Sequence, residues 1–143
     1  AFGRGYEVVE EYRTEDAEAV VLLMGSACGT MREAVDALRN AGKKVGMVKL
    51  RVFRPWPHAL LKQKLARFKT VAVMDRADTV SAYGGALYTE TKAALYELEK
   101  RPAVLSYVYG LGGKEFTPED AAAVLETALA GKKDELVTYI GVR

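Results

Sequence analysis

Four short runs of branched apolar residues recur along this chain, each bounded by glycine, proline or charge. They are Ala19–Met24 (AVVLLM), Val45–Leu50 (VGMVKL), Val71–Met74 (VAVM) and Ala103–Tyr107 (AVLSY). Each is too short for a helix and almost continuously apolar, the pattern of a strand buried on both faces. Between the runs, apolar residues return at helical spacing: Ala34, Val35, Leu38 and Ala41, then Leu61, Leu65 and Phe68, then Leu87, Thr91, Ala94 and Leu98. Buried strands alternating with one-sided helices predict an open α/β sheet covered by helices on both faces.

The connections carry matching punctuation. Gly25–Thr30 (GSACGT) is a turn of small residues, with Ser26 or Thr30 placed to cap a helix that opens at Met31 and stops at Gly42. Arg51–Pro57 (RVFRPWP) reads as a rigid loop before a helix that begins near Pro57, and Asp78–Gly85 (DTVSAYGG) as the loop before the third helix. Tyr109–Gly113 is a glycine turn. Thr117-Pro118-Glu119-Asp120 then combines a hydroxyl cap, an early proline and first-turn acids, opening a helix that runs to about Ala130. Tyr6–Tyr12 alternates too loosely to read as a strand, whereas Val137–Ile140 fits a short terminal one. With no linker or low-complexity stretch, residues 1–143 read as one α/β domain.

Charge is unevenly spread behind a net +2. Residues 1–20 are net −4, residues 32–69 net +9 and residues 70–143 net −3. A basic block invites a polyanion, but its charges fall on helix faces opposite the apolar positions, with no RNA-binding signature. An acidic arm running past a basic middle fits contact within the chain or between subunits better than nucleic acid. No apolar run approaches the roughly 18–20 residues that span a bilayer, so no membrane role is expected. A single cysteine, Cys28, excludes an internal disulfide and points to a reducing, cytoplasmic setting. With one histidine, His58, it cannot form a zinc or iron–sulfur site alone.

In α/β sheets ligands collect at the carboxyl ends of the strands. Gly25, Ser26, Gly29 and Thr30 are candidate anion-binding residues there, offering backbone N–H groups at a helix start, although a tight turn needs the same small residues. No phosphate-loop lysine follows. Cys28 and His58 both follow strands at that edge, which admits a nucleophile–base reading, but no third group to orient the histidine can be named. The loop Arg51–Pro57 is the most distinctive stretch. Arg51, Phe53, Arg54, Pro55 and Trp56 combine guanidinium and aromatic groups that anchor protein interfaces, and the same arginines suit a phosphate or carboxylate clamp. Asp75-Arg76, at the end of the third apolar run, fits an ion pair or a contact with a neighbouring loop.

The ordered blocks YEVVEEYRTEDAEAVVLLMGS, KVGMVKLRVFRPWP, VAVMDR and YGLGGKEFTPED resemble the 2-oxoacid:ferredoxin oxidoreductases, of which pyruvate:ferredoxin oxidoreductase is the best-known type. The resemblance runs from about Tyr6 to Asp120. It implies the transketolase C-terminal-like domain of an alpha subunit: a three-layer α/β/α sandwich whose mostly parallel five-stranded sheet has one antiparallel strand. It also implies a complex that oxidatively decarboxylates a 2-oxoacid to an acyl-CoA, using thiamine diphosphate, magnesium and iron–sulfur clusters and passing electrons to ferredoxin. This chain has no Asp-Gly pair, one asparagine and one cysteine, so those cofactors are expected in other domains or subunits and no catalytic residue is carried over. The implied role is assembly, with Arg51, Phe53, Arg54, Pro55, Trp56, Asp75 and Arg76 as candidate interface residues and with room for a homo-oligomer. A free-standing anion- or nucleotide-binding α/β module stays as the alternative.

Overall fold

A computed structural model describes residues 7–80, 83–131 and 136–141. Its strands are β1 (Val9–Tyr12), β2 (Ala19–Leu23), β3 (Val45–Leu50), β4 (Thr70–Asp75), β5 (Ala103–Val108) and β6 (Thr138–Tyr139). Its helices are α1 (Ala27–Asn40), α2 (His58–Leu65), α3 (Ala86–Leu95) and α4 (Pro118–Ala130). The strands form one sheet in the order β1-β3-β2-β4-β5-β6. Only the β1–β3 pair among them is antiparallel, in the register Val9↔Leu50 to Tyr12↔Met47. The sheet therefore has six strands where the resemblance implied five. The terminal strand expected at Val137–Ile140 is the two-residue β6, which runs parallel to β5 from Tyr107↔Thr138, and β1 is the strand that the pattern of the sequence did not show.

Strand alternation builds two cores from the same strands. Ala19, Val21 and Leu23 of β2 join Val45 and Met47 of β3 and Ala72 and Met74 of β4 beneath α1 and α4. Val20, Leu22, Val48, Leu50, Val71 and Val73 point the other way, beneath α2 and α3. The central strands are apolar throughout because neither face meets water. Thr117 caps α4 as its sequence predicts: its side chain accepts from Asp120 N–H at 3.1 Å, and Thr117 N–H donates to the Asp120 carboxylate at 3.0 Å.

β1 explains both its weak pattern and the charge blocks. It is an edge strand with one apolar residue on each face, Val9 on the α2/α3 side and Tyr12 on the α1/α4 side. Its two glutamates point to opposite faces as well. Glu10 pairs with Arg51 and with Arg32 of α1, while Glu11 pairs with Lys64 of α2 at 3.2 Å and with Arg67 at 2.5 Å. Asp16 reaches Arg39 at 2.5 Å and Glu18 reaches Lys69 at 3.5 Å. The acidic arm is thus clipped within the chain to the basic middle above and below the sheet. Charge on an edge strand also discourages pairing with another sheet.

Gly46 of β3 allows the β1–β2 connection to close over the sheet, since a Cβ there would lie 2.8 Å from the Arg13 carbonyl oxygen. Among the described residues no helix is long and apolar enough to cross a membrane.

Candidate functional site

The chain leaves β2 toward one face of the sheet, through α1, and leaves β4 toward the other, through α3. These neighbouring strands diverge at their carboxyl ends, the topological switch point where α/β sheets open a crevice. A cleft of about 670 Å³ lies there, its floor formed by Met24, Leu50, Phe53 and Met74. Lys49, Arg51 and Arg76 bring positive charge to it, and Asp75 and Asp78 negative charge. A second cavity of about 390 Å³ adjoins it over the start of α1 and shares Ser26, Arg76 and Tyr109 with the first.

Asp75 is the most constrained residue at this edge. It is 9% exposed, and its carboxylate accepts hydrogen bonds from Leu87 N–H at 2.8 Å and Tyr88 N–H at 3.1 Å in the first turn of α3. Gly85 makes the approach possible, because a Cβ there would lie 2.0 Å from the Asp75 carboxyl carbon. Burial pushes the Asp75 carboxyl above its ordinary range, against the two backbone hydrogen bonds that favour its charge. The sequence suggests for Asp75-Arg76 an ion pair or a contact with a neighbouring loop. The structure instead turns Asp75 inward, because the orphan N–H groups of α3 need an acceptor. Arg76 is exposed, packs its stem over Gly110 and makes a long contact of 3.5 Å to the Ser26 hydroxyl.

The GSACGT segment differs from its expected form. α1 begins at Ala27 rather than Met31, so Gly29 and Thr30 belong to its first turn. Cys28 and Gly29 already donate their N–H groups to the Gly25 and Ser26 carbonyls at 3.3 Å. Gly25, at φ +80°, reverses the chain in one residue, and burying Ala27 and Cys28 against the sheet requires the helix to start early. Gly25, Ser26 and Thr30 nevertheless border the cavities, whereas Gly29 is exposed.

The loop Arg51–Pro57 reaches the cleft through Arg51 and Phe53 alone, and its remaining residues lie outside the lining. Phe53 and Trp56 meet edge-to-face at 5.5 Å, the Arg54 guanidinium stacks 4.2 Å from the Phe53 ring centre, and Pro55 follows a cis peptide bond. Arg54 pairs with Glu90 of α3 at 2.9 Å while its side chain stays 60% exposed. Cys28 and His58 are not brought together. Cys28 is buried in the first turn of α1, and His58 is exposed at the start of α2, on the other side of the sheet. Burial pushes the Cys28 thiol up, away from the reactive thiolate.

Two cations at this edge escaped sequence reasoning. Lys49 is the one charge in the otherwise apolar VGMVKL run, a signal available in the sequence. Lys114 follows the glycine turn and reaches the smaller cavity only through the fold, so its spacing gave no hint.

Residues 17–121 match the family described as pyruvate:ferredoxin oxidoreductase core domain II. Pyruvate synthase subunit PorA of Thermotoga maritima is 45% identical over 144 aligned residues, covering 99% of this chain and 36% of its own length. Ketoisovalerate oxidoreductase subunit VorA of Pyrococcus horikoshii is 44% identical over 143, covering 96% of this chain and 36% of its own. The chain thus spans about a third of the length of these curated relatives. The fold is also that of a segment of the 2-oxoglutarate:ferredoxin oxidoreductase of Magnetococcus marinus, with TM-score 0.63 and 23% identity over 87% of this chain and 20% of that one. The chain belongs to the pyruvate:ferredoxin oxidoreductase core domain II family.

Proposed function

We propose that this chain serves as an assembly domain within the alpha-type subunit of a 2-oxoacid:ferredoxin oxidoreductase. The observation that carries this reading is the family match from residue 17 to residue 121, joined to relatives that are subunits of a pyruvate synthase and a ketoisovalerate oxidoreductase and about three times its length. On this reading the whole complex decarboxylates a 2-oxoacid oxidatively, forms an acyl-CoA and reduces ferredoxin.

Thiamine diphosphate, magnesium and iron–sulfur clusters belong to the other parts of the complex. An iron–sulfur cluster needs several thiolates, and the one cysteine here is buried. Among the described residues no group of three or more His, Cys, Asp or Glu is placed to hold a metal. The donor set does not fit these groups, and no chemical step is assigned to this chain.

Its contribution is a rigid surface. Phe53, Arg54, Pro55 and Trp56 are held by ring contacts and by Glu90 in a shape that docks without further ordering, which lowers the entropic cost of association. Arg51, tied to Glu10, extends that surface to the edge strand. Co-expression with the remaining subunits tests the reading. The assembled complex is expected to reduce ferredoxin when given a 2-oxoacid and coenzyme A, and the chain alone to show no turnover. Turnover by the isolated chain, or failure to associate with those subunits, contradicts it.

A further inference from the structure

We propose that the two adjoining cavities at the switch point form a binding site for a nucleoside phosphate, with the ring system in the larger cavity and the phosphates in the smaller. The two compartments differ in chemistry. The larger, about 670 Å³, has its floor on Met24, Leu50, Phe53 and Met74, and its volume lies within the roughly 300–1,000 Å³ of small-molecule pockets. The smaller, about 390 Å³, is edged by Arg76, Lys114, Glu115 and the Ser26 and Thr30 hydroxyls.

Charge favours an anion at the junction. Lys49, half-buried in the larger cavity, and Lys114, exposed at the smaller one, make no ion pair or side-chain hydrogen bond among the described residues. Among the described residues, Arg76, which borders both compartments, makes one side-chain hydrogen bond, the long 3.5 Å contact to Ser26. The acids present are largely committed or outnumbered. Asp75 caps α3, Asp78 accepts from Tyr139 at 2.6 Å, and Glu115 is the one acid lining the smaller cavity beside Arg76 and Lys114. Phosphate between Arg76 and Lys114 would also meet the start of the fourteen-residue α1, where its dipole favours negative charge. A ligand apolar at one end and polyanionic at the other fits both compartments at once. Inorganic phosphate or an uncharged ring fits only one.

Calorimetric titration of the protein as it purifies, alone or with its partners, tests this with three probes: ADP, adenosine and inorganic phosphate. ADP is expected to bind, with adenosine and phosphate each at least about tenfold weaker. The double variant Arg76→Ala/Lys114→Ala changes two exposed side chains and leaves both cores intact. It is expected to weaken ADP at least about tenfold and leave adenosine unchanged. Absence of ADP binding at millimolar concentration overturns the proposal. So does phosphate or adenosine binding as tightly as ADP, or a double variant that holds ADP like the parent protein.

Discussion

The end of β4 and the loop after β3 use charge in opposite ways. In the first, Asp75 is buried, touches two backbone N–H groups and has no room to move, because Gly85 lies against it. In the second, Arg54 is largely exposed and its partner Glu90 is only partly covered. The difference teaches that burial separates a structural charge from one available to a partner. Removing the first leaves orphan donors inside the protein, whereas removing the second forfeits a solvent-screened pair.

The largest expected effect strikes the buried charge at its tightest contact. Gly85→Ala places a Cβ inside the Asp75 carboxyl, which neither α3 nor β4 can vacate. A loss of about 3 kcal/mol or more in urea-induced unfolding is expected; a loss under about 1 kcal/mol would show that Asp75 has another position available. Asp75→Ala removes the acceptor for Leu87 and Tyr88 and is expected to cost about 2 kcal/mol. If its melting matched that of the parent protein, the cap would contribute nothing.

The pH dependence of the two kinds of carboxylate runs in opposite directions. The Arg39 guanidinium holds the Asp16 carboxyl below its ordinary range, and the Tyr12 hydroxyl, then the Arg13 guanidinium, do the same for Asp36. Their contribution is present above the unfolded value of about 3.9 and is lost as pH falls through the lowered folded values. Asp75, raised by burial, contributes most below about 3.9 and less as pH rises through its folded value. The urea midpoint of Asp36→Asn is therefore expected to fall less on acidification below about pH 4 than that of the parent protein. A parallel fall would detach Asp36 from acid stability. The smallest effect belongs to the exposed loop: Arg54→Ala is expected to change stability by under about 1 kcal/mol in the same urea assay.

The sequence reveals the parts of the fold that burial dictates. The four apolar runs are β2 to β5, and the Thr117-Pro118 signal opens α4 within a residue of its place. β1 was hidden because an edge strand with one apolar residue per face makes no run, and its glutamates are satisfied by side chains 22 to 56 positions away. The start of α1 was hidden because Gly25-Ser26-Ala27-Cys28 reads as turn chemistry, while the sheet's need for small buried residues makes half of it helix. At the cleft, Arg51, Phe53, Asp75 and Arg76 were legible as neighbours of strand ends. That Asp75 turns inward was not, since its partners are backbone groups twelve and thirteen residues later.

Association of this chain with the remaining subunits, measured for Arg54→Glu and Phe53→Ala beside the parent protein, tests the assembly role most directly. Both variants are expected to remain folded, Phe53→Ala with a lowered unfolding midpoint from its lost packing, and yet lose stable complex formation. Complexes that form undiminished with both substitutions in place would contradict the assignment of the Arg51–Pro57 loop as the docking face.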